Sequence, residues 1–103
     1  MTAALLPRIV ALVQAELDRS RPRGCAPVVA AESDLVADLR CCAVDYQCFA
    51  MDLDEAFGVE IPEHVLDDGS ADRWRTPEDM ARTVQHLLAA RAPDFAEAND
   101  AGA

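Results

Sequence analysis

The stretch Leu53-Asp54-Glu55-Ala56-Phe57-Gly58-Val59-Glu60-Ile61-Pro62 decides the fold. Upstream of it lies Phe49, so Phe49, Leu53 and Phe57 stand at i, i+4 and i+8. That spacing stacks three large apolar side chains on one face of an α-helix. Gly58 follows the last of them and serves as a C-cap, where a left-handed residue closes the helix. Pro62 biases the residue before it away from helix, so Val59 to Glu63 reads as a short extended exit.

Working backward, this helix starts near Cys42 or Ala43. Tyr46, Ala50 and Ala56 flank its apolar face, and Asp45, Asp52, Asp54 and Glu55 make the rest acidic. Before it, Ser33 to Leu39 is expected to form a short turn capped by Ser33 or Asp34. Residues 20–33 carry Pro22, Gly24 and Pro27 and read as a long loop. The apolar patch Val28-Val29-Ala30-Ala31 within it is expected to lie on the core. Leu5, Ile9, Leu12, Val13 and Leu17 recur at helical spacing. They predict a first helix from about Leu5 or Leu6, with Pro7 in its opening turn, to Asp18 or Ser20.

Working forward, Pro62 starts a brief helix over Glu63 to about Asp67, ended by Asp68-Gly69-Ser70. Ala71 to Arg75 is a loop, and Trp74 in it is expected to be buried. Thr76-Pro77-Glu78-Asp79 is a helix start: Thr76 caps, Pro77 occupies the first helical position, and Asp79 closes a capping box. Met80, Val84, Leu87 and Leu88 face inward, and the helix is expected to end near Arg91, before Pro93. The expected fold is all-α: a small four-helix bundle of three longer helices and one short one, with a long loop after the first. Residues 1–92 form one domain and 93–103 a flexible tail.

The chain of 103 residues has room for one core. Its formal charge is −10, and acids crowd the region from Glu32 to Asp79. Such a surface does not neutralise phosphates, which excludes a nucleic-acid binder, and it attracts basic protein surfaces. No apolar run is long enough to span a bilayer. The start MTAALLPRIV lacks the basic opening of a signal peptide and is broken by Pro7 and Arg8. A cytoplasmic monomer is expected, with the four cysteines as thiols.

The order of these elements, with Leu53 to Pro62 as its most specific segment, resembles the acyl carrier protein family. The resemblance extends back through Asp38-Leu39, where the family has an acid, Leu and Gly. It runs forward through Thr76-Pro77-Glu78-Asp79 and covers roughly residues 3–91. It implies an acyl-carrier-like bundle that catalyses nothing and carries acyl groups on 4′-phosphopantetheine. The family esterifies that arm to the serine of an Asp-Ser-Leu at the start of the second helix. Counting back from Phe57 and forward from Asp38-Leu39 lands on Cys42-Ala43-Val44, so Ala43 stands at the serine's position. As given, the chain takes no such cofactor; a parent with serine at position 43 would. Either this is a natural, unmodified docking or regulatory relative, or Ala43 is an engineered Ser→Ala change in a working carrier. Arg40, Cys41 and Cys42 also depart from the family pattern, which favours the natural variant. The resemblance further implies docking to basic surfaces of fatty-acid, polyketide or related acyl-transfer enzymes. The residues it assigns to that surface are Val44, Asp45, Gln47, Met51, Asp54 and Glu55.

Other constellations are weaker. Cys41, Cys42 and Cys48, with Cys25, lack paired Cys-x-x-Cys knuckles, so packing is preferred over zinc. Cys42 at a helix start could support a redox role. His64 and His86 have no nucleophile or carboxylate partner in the pattern, and no phosphate loop or catalytic triad is present. An enzyme is not expected. The readings from other classes are a structural or subunit-bridging helical protein and, behind it, a cysteine-based metal or redox protein.

Overall fold

In a computed structural model the backbone is described for residues 2–102 and the side chains for residues 5–91. The chain is all-helical, with α1 at Thr2–Ser20, α2 at Ala43–Phe57 and α3 at Pro77–Gly102, and no strand among the described residues. α1 packs against both α2 and α3. The core gathers Ile9, Val13 and Leu17 from α1, Phe49 and Leu53 from α2, and Met80 and Val84 from α3. Each large apolar side chain of this kind stabilises the fold by roughly 1.5–3 kcal/mol when fully buried. Leu87, Leu88 and Phe57 are only partly buried at its edge, and Ala56, expected beside the core, is exposed.

Gly58 closes α2 as its sequence predicts. It takes the left-handed conformation (φ 66°) and donates its N–H to the Asp54 carbonyl at 2.7 Å. The start of α3 follows its motif equally well. Thr76 Oγ1 accepts the Asp79 N–H at 3.2 Å, and Asp79 Oδ2 accepts the Thr76 N–H at 3.3 Å.

Three boundaries differ from the sequence expectation. α1 begins at Thr2, so Pro7 is its sixth residue and lies inside it; lacking an N–H, it leaves one bond of the helical ladder unmade. α3 continues beyond Arg91 to Gly102; the flexible tail expected over 93–103 lies outside the described side chains. The short helix expected over Glu63 to Asp67 is a single 3-10 turn, Glu63–Val65. The Glu63 carbonyl accepts the N–H groups of both Leu66 and Asp67, at 2.9 and 3.0 Å, and the Val65 carbonyl accepts the Trp74 N–H at 2.9 Å, tying the turn to the loop beyond it.

The long loop is held by specific contacts. The Gln14 side chain of α1 donates to the Pro27 carbonyl at 2.9 Å and accepts the Val29 N–H at 2.8 Å. This splits the apolar patch: Val29 is buried, while Val28 is 87% exposed. Further on, Leu35 N–H donates to the Arg75 carbonyl at 2.8 Å, and Leu35 and Leu39 enter the core. Asp34, rather than Ser33, caps the turn that follows, accepting the N–H groups of Val36 and Ala37 at 2.9 and 2.7 Å. Trp74 is buried as expected, with its indole N–H on Thr83 Oγ1 at 2.9 Å and its carbonyl accepting the Tyr46 hydroxyl at 2.6 Å. Among the described residues no helix is long and apolar enough to cross a membrane.

Candidate functional site

Ala43 is the first residue of α2 and is exposed. Cys42 precedes it as the N-cap, in extended conformation. A helix begins here because Asp45, three residues into the turn, accepts the Cys42 N–H on Oδ2 at 3.0 Å. That satisfies a donor the helix itself cannot pair.

Asp45 has a second partner that no local pattern supplies. Arg21, just beyond the end of α1, donates to both carboxylate oxygens, at 2.9 and 3.3 Å. The same guanidinium donates to the Arg40 carbonyl at 3.3 Å. Burial pushes the Asp45 carboxyl up, but the hydrogen bonds from Arg21 and the Cys42 N–H outweigh it, and its pKa is lowered. Arg21 is raised in turn, chiefly by the hydrogen bond to Asp45. The Asp45 side chain is only 6% exposed. The expectation that Asp45 belongs to an exposed docking set is therefore corrected: it is a buried brace. Helical geometry turns the third residue of α2 toward the end of α1, where an arginine is waiting.

Arg40 has φ 57°, the one non-glycine residue with positive φ among those described. It follows Asp38-Leu39, where the resemblance calls for glycine. The backbone conformation gives that glycine a physical reason, since an L side chain is disfavoured there.

The remaining expected docking residues do share a face. Val44 and Met51 are 67% and 70% exposed, and Gln47, Asp54 and Glu55 are exposed alongside them. The result is an apolar and polar stripe at the start and middle of α2 that becomes acidic toward its end. Asp52 lies off this stripe. It faces α1, where Arg19 Nη2 reaches it at 3.7 Å and also pairs with the buried Glu16. Its pKa is raised by burial and by a hydrogen bond and charge interaction with Glu16.

The cysteines do not converge. Cys41 is buried, and burial drives its pKa up to about 12, so it is a protonated packing residue. Cys42 and Cys25 are exposed and Cys48 is half-buried. Among the described residues no group of three or more His, Cys, Asp or Glu is arranged to hold a metal ion. His86 is exposed, and His64 lies 3.6 Å from Asp72 at the surface.

Position 43 presents a methyl group, which cannot form a phosphodiester. The serine hydroxyls are elsewhere, Ser20 at the end of α1 and Ser33 and Ser70 in loops, and none stands at the head of α2. The residues present therefore do not fit a covalent phosphopantetheine arm. Sequence reading missed the role of Arg21. It stands out as one of three clustered arginines, Arg19, Arg21 and Arg23, but nothing in their spacing points across 24 residues to Asp45. No family model, curated protein or solved structure matches this chain.

Proposed function

We propose that this chain is an acyl-carrier-like protein, folded as the small four-helix bundle of that type, with the 3-10 turn Glu63–Val65 in place of the short helix. With Ala43 it acts without the phosphopantetheine arm, as a docking or regulatory partner of fatty-acid, polyketide or related acyl-transfer enzymes. A Ser→Ala form of a working carrier would present the same surface. The observation that carries the reading is the exposure of Ala43 as the first residue of α2, directly upstream of the Leu53 to Pro62 segment. The partner surface is Val44, Gln47, Met51, Asp54 and Glu55, with Asp45 withdrawn to brace the helix.

The test is to incubate the chain and an Ala43→Ser variant with a broad-specificity phosphopantetheinyl transferase and coenzyme A, and to weigh both intact. The expected result is a gain of one phosphopantetheine on the variant and none on the parent. If the variant stays unmodified and neither protein binds a carrier-dependent enzyme, the proposal fails.

A subunit-bridging role is favoured by one observation. Val28, Val36, Val44 and Met51 are large apolar side chains left in water. A protein that uses them for assembly would be found in a larger species by sedimentation at micromolar concentration. A carrier-like protein sediments as a monomer.

A further inference from the structure

The segment 71–75 forms one wall of a surface cleft of about 510 Å³. The turn after the long loop, around Asp34 and Val36, also lines it, as do the buried Tyr46 and Trp74. Two arginines line it, Arg73 and Arg75. In a chain of net charge −10, two cations lining one cleft stand out.

The arginines are held differently. The Arg73 guanidinium lies over the Tyr46 ring, 4.1 Å from its centroid, and its side chain is only 17% exposed. One end of it pairs with Asp68 at 2.7 Å, but that aspartate is 92% exposed. Arg73 Nε is buried without a hydrogen-bond partner, the only such side-chain atom among the described residues. A buried donor left unpaired is costly and calls for a reason. Arg75 is exposed and makes no ion pair within 4.0 Å among the described residues. The one carboxylate lining the cleft, Asp34, is engaged by the backbone N–H groups of Ala37 and Val36, and feels the Arg75 charge only as a smaller contribution to its lowered pKa.

We infer that this cleft binds a small oxyanion, carboxylate or phosphate, that carries a short apolar chain. The two guanidiniums take the charged head by forked hydrogen bonds. The exposed side chains of Val36, Ala37 and Ala71 take the apolar part, over the buried Tyr46 and Trp74. The inference needs nothing attached at position 43 and stands apart from the carrier reading.

The chain's single tryptophan lies in the cleft, so its fluorescence reports occupancy directly. The full chain is titrated with butyl phosphate, butyrate, inorganic phosphate and 1-butanol at fixed ionic strength. A saturable response to butyl phosphate or butyrate is expected, stronger than to inorganic phosphate, and whichever is preferred identifies the head group. Arg75→Gln should weaken it about tenfold, the loss of a charge-assisted hydrogen bond. Arg23→Gln, on the distant loop, should leave it unchanged. Arg73→Gln should weaken it as well; if that variant loses its far-UV circular dichroism, Arg75→Gln alone decides. The inference is overturned if no compound saturates, if 1-butanol responds as strongly, or if Arg75→Gln binds like the parent.

Discussion

Helices α2 and α3 start on the same device and complete it from different places. Each has an aspartate three residues past its cap, Asp45 or Asp79, accepting the cap residue's N–H. Each aspartate is paired with an arginine. For α3 the arginine is Arg82, one turn along the same helix, 2.5 Å from Asp79 and 69% exposed. For α2 it is Arg21, at the end of another helix and 21% exposed. The α3 start is a local motif. The α2 start is a joint between helices. It follows that the exposed residues Ala43 and Val44 at the head of α2 can vary without unmaking the helix, since neither takes part in the cap that Cys42, Asp45 and Arg21 form.

The comparison predicts unequal costs. Asp45→Ala removes the cap and strands Arg21, and should destabilise the fold by about 3 kcal/mol. Asp79→Ala should cost about 1 kcal/mol, the usual value for a lost helix cap. Urea denaturation of both variants measures the gap; equal losses would mean that the inter-helix joint adds nothing to the local motif.

Acid should expose the same asymmetry. Both aspartates have lowered folded-state pKa values. For Asp45 burial opposes the shift, and Arg21 and the Cys42 N–H drive it; for Asp79 burial again opposes, and Arg82 with the Arg75 N–H drives it. A depressed carboxyl stabilises fully above its unfolded pKa of about 3.9 and loses that contribution as pH falls through the lower folded value. Asp52 runs the other way, because a raised folded pKa means that the folded chain gains stability as Asp52 takes up its proton. Melting temperature is therefore expected to fall below about pH 4, and Asp45→Asn should flatten that fall more than Asp79→Asn. A steeper flattening by Asp79→Asn would place the stronger pair at α3.

The smallest effect concerns the strained approach to α2. Arg40→Gly relieves a positive φ while keeping the carbonyl that Arg21 uses, and should stabilise by roughly 1 kcal/mol. A loss of stability would mean that the Arg40 side chain contributes more to this joint than its backbone strain costs.

Much of this was legible because it is local. The Phe49-Leu53 core face, Gly58 as cap, and the Thr76 to Asp79 box each depend on residues within one or two turns and are found as read, with Phe57 only partly buried at the edge. The exposure of Val44, Gln47, Met51, Asp54 and Glu55 follows from the same helical period. Asp45 broke the pattern for the same reason that the α2 start differs from the α3 start. A carboxylate on an acidic helix reads as solvated until a cation from a distant segment is placed beside it. The short helix expected over Glu63 to Asp67 is reduced to a 3-10 turn, whose Val65 carbonyl is tied to Trp74, nine residues on, a contact that no local pattern shows.

By itself, then, the sequence determined that this chain is helical, where α2 ends and α3 begins, and that residue 43 offers a methyl at the head of an acidic helix. Those are matters of periodicity, capping chemistry and side-chain identity. Only the tertiary structure decided that Asp45 is a brace rather than part of the surface, and that Arg73 and Arg75 share one cleft. The first depends on charges brought together across 24 residues, the second on the turn around Asp34 and Val36 packing against the loop that carries both arginines; such packing is set by how helices and loops assemble, not by spacing along the sequence.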